Sequence, residues 1–448
     1  MNTHGQRWLV LFALVWPAFS QPQDVPAKVD EYVNAYVQQG RFSGSILVAK
    51  GGEVVASKGY DMADAELDVP NTPDTKFRLG SITKQFTAAA ILQLQEKGKL
   101  SVDDKLSKYV ADSPEGWKDI TIQELLTHTS GVPNFTSFPD YRETMVQPAT
   151  PLDLIARFKK KPLDFAPGTK FNYSNSGYIL LGYIIEKVSG GTYEAYLKQN
   201  IFDPLDLQST GYDRTSAILK HRASGYSTRG GKLANADYID MSVPFSAGGL
   251  YSTTTDLYRW DRALAADKVL PKPALEKMFT PFKNNYGDGW FINKEFDRRV
   301  LDHGGAINGF ATYIARFPDD DACIIVLGNI ESAPSSRMGH DLAALLFGQP
   351  YDIPKTHKAI RVPFKVIVQY TGTYTNGGLN LVVTSSDDHL YLVPKGQGQT
   401  ELFGESDTKF FMKLADAEVT FVKNADGKVT GMLLHQNGRD IRLRRVPQ

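Results

Sequence analysis

Cysteine is nearly missing from this chain of 448 residues: Cys323 is the single one, so no internal disulfide and no paired-cysteine zinc site can form. It stands in the apolar run from Ala322 to Leu327, the setting of a small buried hydrophobe rather than a nucleophile. Charge of one sign is missing as well. Lysine and arginine number 50 against 50 aspartates and glutamates, and a chain without a net field has nothing to draw it onto nucleic acid or an anionic membrane surface. Three catalytic signatures are also absent. There is no G-x-S-x-G, no H-E-x-x-H, and Gly396-Gln397-Gly398 lacks the third glycine and the strand–helix setting of a dinucleotide loop. Histidines 4, 221, 340, 357, 389 and 435 show no ligand spacing. Neither metal nor cofactor is expected.

What is present is ordinary globular protein, with 42% hydrophobic and 22% charged residues, long enough for two or three folding units. The first twenty residues place Arg7 before an apolar run from Trp8 to Val15, then Ala18 and Ser20 at signal-peptidase spacing. A secretory signal over residues 1–20 is expected, and with it a secreted or periplasmic location. The alternative, a membrane anchor, meets an apolar run shorter than the ~20 residues a spanning helix needs, so no membrane span is expected after cleavage.

Val25, Val29, Tyr32, Val33, Tyr36 and Val37 recur at helical spacing and predict an opening helix ended by Gly40. Apolar stretches at 44–49 and 53–60 flank Lys50-Gly51-Gly52 as a β-hairpin, and 310–317 and 322–329 flank Pro318 to Asp321 as a second. A helix carrying Leu342, Leu345 and Leu346 follows. Strands at both ends of one unit predict an α+β fold, an antiparallel sheet flanked by helices. Between them, residues 82–290 read mainly as helices and loops, an α-rich subdomain, with helices at Ile82–Lys97, Ile122–Leu126, Pro151–Phe158 and Tyr178–Val188. Prolines 350, 354 and 363 mark a linker over 349–363. Short alternating strands separated by Asn376-Gly377, Asp387-Asp388 and Asp426-Gly427 then predict a small all-β domain over 364–448, a lipocalin-like barrel or a sandwich.

The chemistry concentrates at Gly80-Ser81-Ile82-Thr83-Lys84, at the start of a long apolar helix. Residues three apart share a helix face, so the Ser81 hydroxyl and the Lys84 amine can meet across one turn. A serine needs a group to take its proton, and a desolvated lysine can serve. By itself S-x-x-K is weak, because a serine N-cap followed by a solvated lysine is common. Two further segments weigh against that plain reading. Tyr173-Ser174-Asn175 lies in a polar loop entering a helix, where a tyrosine would ordinarily only pack. His303-Gly304-Gly305 precedes a strand, and its glycines let a substrate backbone approach a sheet edge.

These three segments in this order resemble the serine β-lactamase and penicillin-binding superfamily, in its branch of class C enzymes, DD-peptidases and family VIII esterases. Leu125 to Gly131 and Gly248 to Ser252 resemble that branch's framing segments, and the likeness runs from about Val25 to Gly348, within a unit spanning 21–348. The resemblance implies a β-lactamase/transpeptidase-like fold and a serine hydrolase that cleaves amide or ester bonds through an acyl-enzyme on Ser81. It implies that Lys84 and Tyr173 share the proton relay, Tyr173 as a phenolate-like base. Asn175 would hold the substrate amide, and the backbone N–H groups of Ser81 and Ala306 would form the oxyanion hole. Substrate binding would fall to Asn175, His303, Gly305 and Ala306, with a small molecule or peptide as the partner. Small peptides ending in or beginning with D-amino acids, or short acyl esters, are the expected substrates, with a class C-like β-lactamase or a slowly turning over penicillin-binding sensor as alternatives. His303 departs from the lysine of class C enzymes. It is expected to attract substrate carboxylates only as pH falls through its pKa, with Asp302 a neighbour able to raise that pKa. His128, in a turn of Thr, Ser and Gly, is expected to fix its loop rather than to act in catalysis.

Overall fold

The computed structural model describes residues 25–355, 357–394, 398–412, 417–436 and 439–446. The signal expected over residues 1–20 lies outside them. A six-stranded sheet runs in the order Phe291–Glu295, Arg298–Ile307, Phe310–Phe317, Ala322–Gly328, Gly44–Lys50, Glu53–Tyr60. The chain thus returns to its own beginning, Gly44 opposite Gly328 and Lys50 opposite Ala322 in antiparallel register. Both joining strands are buried on both faces except at Lys50, which is why they read as continuous apolar runs rather than as alternation.

One face of the sheet is covered by helices Val25–Gln38 and Ser335–Leu346. The first buries Val29, Tyr32, Val33 and Tyr36, a stripe at the 3–4 residue period of a surface helix. Its Tyr32 hydroxyl donates to Asp341 of the second at 2.7 Å. The α-rich layer covers the other face. Its central helix, Thr83–Glu96, is buried on nearly every side, Phe86, Ala88, Ala89, Ala90, Ile91 and Leu92 included, as an apolar helix must be when it runs through a core. This layer also contains short strands that escaped the sequence reading. Phe77–Arg78, Leu250–Ser252 and Gly211–Tyr212 form a small sheet immediately before the candidate serine. Two or three residues carry no legible period.

Strand Phe291–Glu295 pairs only with Arg298–Asp302. Beyond that point His303 to Ile307 has strand Phe310–Phe317 on one side and, among the described residues, no strand on the other. The sheet is thus left open where an extended chain can add.

The C-terminal strands close into an eight-stranded barrel from Gly372–Thr375 to Arg439–Arg445, the last strand returning to the first with Arg445 opposite Tyr374. Closure decides between barrel and sandwich. The lumen is filled by Tyr370, Tyr374, Phe410, Phe421 and Met432, with Tyr370 stacked on Phe421 at 4.1 Å, so it is a packed core rather than a ligand cavity. Strand Arg439–Arg445 was not legible because four of its seven residues are arginine and only Ile441 and Leu443 are apolar. Thr400–Gly404 was the other strand missed. Between these, Lys409–Phe411 is a short strand.

The stretch between the units packs on both. Tyr351 lies against Tyr32 with ring centroids 5.9 Å apart, whereas the His357 ring stacks on Phe411 at 4.5 Å and Val362 belongs to the barrel core. A chain ending at Pro354 is therefore expected to unfold cooperatively in urea with Ser81 still reactive. One ending at Gly348 loses the Tyr351 contact and should be less stable by about 1 kcal/mol. Failure of the Pro354 truncation to give soluble protein would show that the two units share a core.

Candidate active site

Ser81 owes its place to two glycines. After strand Phe77–Arg78 the chain turns at Gly80, φ +54°, into a 3-10 turn over Gly80–Ile82 that runs on as helix Thr83–Glu96. A Cβ at Gly80 would stand 2.8 Å from the Ala306 nitrogen, and one at Gly305 would stand 2.0 Å from the Leu79 carbonyl oxygen. Thr312 donates to that same oxygen at 2.8 Å. The serine turn is therefore pinned, backbone to backbone, against the open edge at Gly305 and Ala306. Its first N–H groups have no partner in a preceding turn.

Lys84 is fully buried and its Nζ reaches three oxygens: Ser81 Oγ at 3.0 Å, Asn175 Oδ1 at 2.8 Å and the Ala247 carbonyl at 2.8 Å. Desolvation holds its pKa well below the usual lysine range, since none of these partners is an anion. A neutral amine has two hydrogens and one lone pair. Asn175 Oδ1 and Ala247 O can only accept and so take the hydrogens, which turns the lone pair toward the Ser81 hydroxyl.

Tyr173 places its ring 4.9 Å from Lys84 Nζ. Its hydroxyl is buried without a hydrogen bond of ordinary geometry. Burial pushes its pKa up, with Ser81 acting in the opposite sense. Burial thus opposes the phenolate form expected for Tyr173, whereas it favours the neutral amine of Lys84. Asn175 opens helix Asn175–Ser189, donates its side-chain amide to Thr136 Oγ1 at 3.0 Å and gives its oxygen to Lys84. It orients the lysine as well as lining the cleft, and one amide hydrogen remains for a substrate.

His303 differs most from its expected role. Its side chain is buried, its Nδ1 faces the Gly304 carbonyl at 2.6 Å and its Nε2 the Tyr286 hydroxyl at 3.0 Å. The carbonyl can only accept, so Nδ1 carries the proton. Burial lowers its pKa to about 3. Asp302, one residue earlier on the strand, points to the opposite face and accepts from Tyr313 at 2.7 Å, so it does not raise that pKa. His303 is a buried wall of the site with a partner at each ring nitrogen.

His128, at φ +57°, does fix a loop, but that loop is the one bearing Tyr173: Nδ1 accepts from Ser174 N–H at 3.1 Å and the imidazole lies 4.1 Å from the Tyr173 ring. Tyr286 was missed altogether. It bridges His303 and packs 4.7 Å from His128, and nothing in its Asn- and Gly-rich loop announces it. The segment Gly248 to Ser252 frames the site, Leu250 O accepting from Leu79 N–H and Leu250 N–H donating to Thr83 Oγ1.

Ser81, Asn175 and Ala306 open into a cleft of about 410 Å³, walled by Phe135, Tyr141, Ile239 and Phe310. Lys84, Tyr173 and His303 sit behind it. Among the described residues no group of His, Cys, Asp or Glu is arranged to hold a metal ion.

A serine on a buried helix with a neutral lysine one turn away, facing an open sheet edge, defines a serine hydrolase of the β-lactamase/transpeptidase fold. The chain belongs to the beta-lactamase family, whose model matches residues 28–349; a domain of unknown function, DUF3471, matches 356–445. It is 31% identical over 432 residues to penicillin-binding protein 4* of Bacillus subtilis, spanning 90% of this chain and 95% of that protein. Among solved structures, the octameric penicillin-binding protein homologue of Pyrococcus abyssi superposes with a TM-score of 0.68 at 28% identity over 93% of this chain and 99% of that one. A D-stereospecific amidohydrolase from Streptomyces sp. superposes with 0.65 at 28% identity, over 72% and 99%.

The buried histidines make a stability prediction. Unfolded, each takes up a proton near pH 6.5. Folded, both have depressed pKa values, so their contribution is complete above about pH 6.5 and is lost as pH falls toward the folded value. His303→Asn should remove about 1.4 kcal/mol per pH unit from the fall in unfolding free energy below pH 6. Urea titrations of both proteins at about pH 6 and pH 5 measure it; parallel losses would mean that His303 is protonated in the fold.

Proposed function

We propose that this hydrolase cleaves amide or ester bonds through an acyl-enzyme on Ser81, acting on short peptides or amides containing D-amino acids or on short acyl esters. The hydrogen bond of Ser81 to the buried Lys84 carries the reading. Lys84 takes the hydroxyl proton as Ser81 Oγ attacks the carbonyl carbon. The developing oxyanion meets the backbone N–H groups of Ser81 and Ala306. Tyr173, neutral and facing Ser81, passes the proton to the leaving nitrogen or oxygen. Water then attacks the acyl-serine through the same groups, releasing the acid and restoring the serine. The substrate backbone lies along the open edge from His303 to Ile307.

The similarity to penicillin-binding proteins and to a D-stereospecific amidohydrolase supports this substrate class. Efficient β-lactam hydrolysis is disfavoured because His303 replaces the lysine of class C enzymes with a neutral side chain. Action outside the cytoplasm fits the signal-like first twenty residues, and no described helix is long and apolar enough to cross a membrane.

A fluorophosphonate probe should leave one adduct, on Ser81, found by mass spectrometry. Ser81→Ala should abolish turnover of nitrocefin, p-nitrophenyl butyrate and D-Ala-D-Ala peptides without loss of fold. Tyr173→Phe should lower kcat at least about 100-fold, roughly 2.7 kcal/mol of barrier. An adduct elsewhere, or an active Ser81→Ala protein, would end the proposal. One equivalent of product without a steady state would instead favour a penicillin-binding sensor.

A further inference from the structure

The cleft contains Glu331 and no lysine or arginine among its lining residues, and a second concavity that shares part of its wall holds two arginines. This side pocket, of about 380 Å³, shares Ile239, Asn308 and Phe310 with the catalytic cleft and adds Arg78 and Arg222. Arg78 lies three residues before Ser81, with its guanidinium carbon 5.8 Å from the Phe310 ring. Its place beside the site is thus fixed by the strand that delivers the nucleophile.

Both arginines rest on one carboxylate. Arg78 Nε donates to Asp213 Oδ2 at 2.7 Å and Arg222 Nη1 to Oδ1 at 2.9 Å. The Asp213 side chain is 1% exposed, that of Arg78 16% and that of Arg222 29%. Two cations against one anion leave one positive charge, and it lies on the accessible side because the aspartate is behind. Each guanidinium carries five N–H donors and gives only one of them to Asp213, so donors are left for a second carboxylate. The other acid of the pocket, Asp237, is paired with Arg229 at 2.5 Å. Glu331, in the cleft itself, accepts from Gly309 N–H at 3.3 Å and would repel an anion from that end. An anionic group entering the cleft is thus directed toward the arginines.

We propose that Arg78 and Arg222 form a subsite for a carboxylate of the substrate. The inference rests on the reading of Ser81 as the acylated nucleophile. The carboxylate has two possible sources: the acyl portion of the substrate, or the free C-terminus of its leaving portion.

Two substrate pairs tell these apart on the full-length protein: the mono-p-nitrophenyl ester of glutaric acid against p-nitrophenyl valerate, and Ac-D-Ala-D-Ala against its C-terminal amide. For one pair, kcat/KM should favour the acid, and Arg222→Gln should lower that ratio about fivefold or more. Arg222→Lys, which keeps the charge, should restore much of it. In unaltered enzyme the same ratio should fall as salt rises from about 20 mM to about 0.5 M, a readout that requires no variant to fold. A wild-type preference for the neutral member of both pairs, a ratio indifferent to salt, or a ratio within about twofold of wild type in Arg222→Gln for both pairs would overturn the subsite. Failure of the Ser81 reading shows separately, as absent fluorophosphonate labelling and no turnover of any of the four substrates.

Discussion

The site depends on one buried amine with only neutral acceptors around it. A charged lysine in the interior would need an anionic partner to offset several kcal/mol of desolvation, and the three oxygens that meet Lys84 belong to a serine, an amide and a backbone carbonyl. The neutral form is therefore favoured, and it is the form that can accept the Ser81 proton. The same constraint organises the neighbours. His128 and His303 are buried beside Lys84, and the same desolvation depresses both and raises the pKa of Tyr173, so this wall of the site disfavours charge.

Holding that arrangement takes elements from most of the first unit. The serine turn leans on the sheet edge through Gly80 and Gly305. Asn175 orients Lys84 and is itself held by Asn134 and Thr136. Ala247, from the segment framing the helix, supplies the third acceptor. Strong local order around the nucleophile and an unpaired strand edge beside it are complementary: the chemistry is rigid, and the open backbone is left for the substrate to complete.

Much of this was legible because it is carried by short-range patterns. Ser81 and Lys84 are one helical turn apart, and the hairpins and opening helix follow from periodicity. The barrel strands were legible where apolar and polar residues alternate, as in Asn380–Ser386, and illegible where arginines fill the strand. What could not be read is what depends on burial. Whether Tyr173 or Lys84 is the base turns on desolvation, and His303 reads as a titrating histidine until its ring is found between Tyr286 and a carbonyl. Tyr286 comes from a distant loop and has no motif at all.

The two units divide the labour unequally. The barrel's described strands close on themselves and its lumen is filled by side chains, which leaves its outer surface and its hold on the chain as the places where it can contribute. Its attachment is built from side chains rather than from a shared core. Tyr351 remains with the first unit, while three residues past Pro354 His357 already stacks on the barrel and lies between Glu405 and Glu418 at 3.0 and 3.5 Å. A short tether fixed at both ends restricts the barrel's placement, while Ser81, Lys84 and Tyr173 all lie in the unit that the beta-lactamase family model matches.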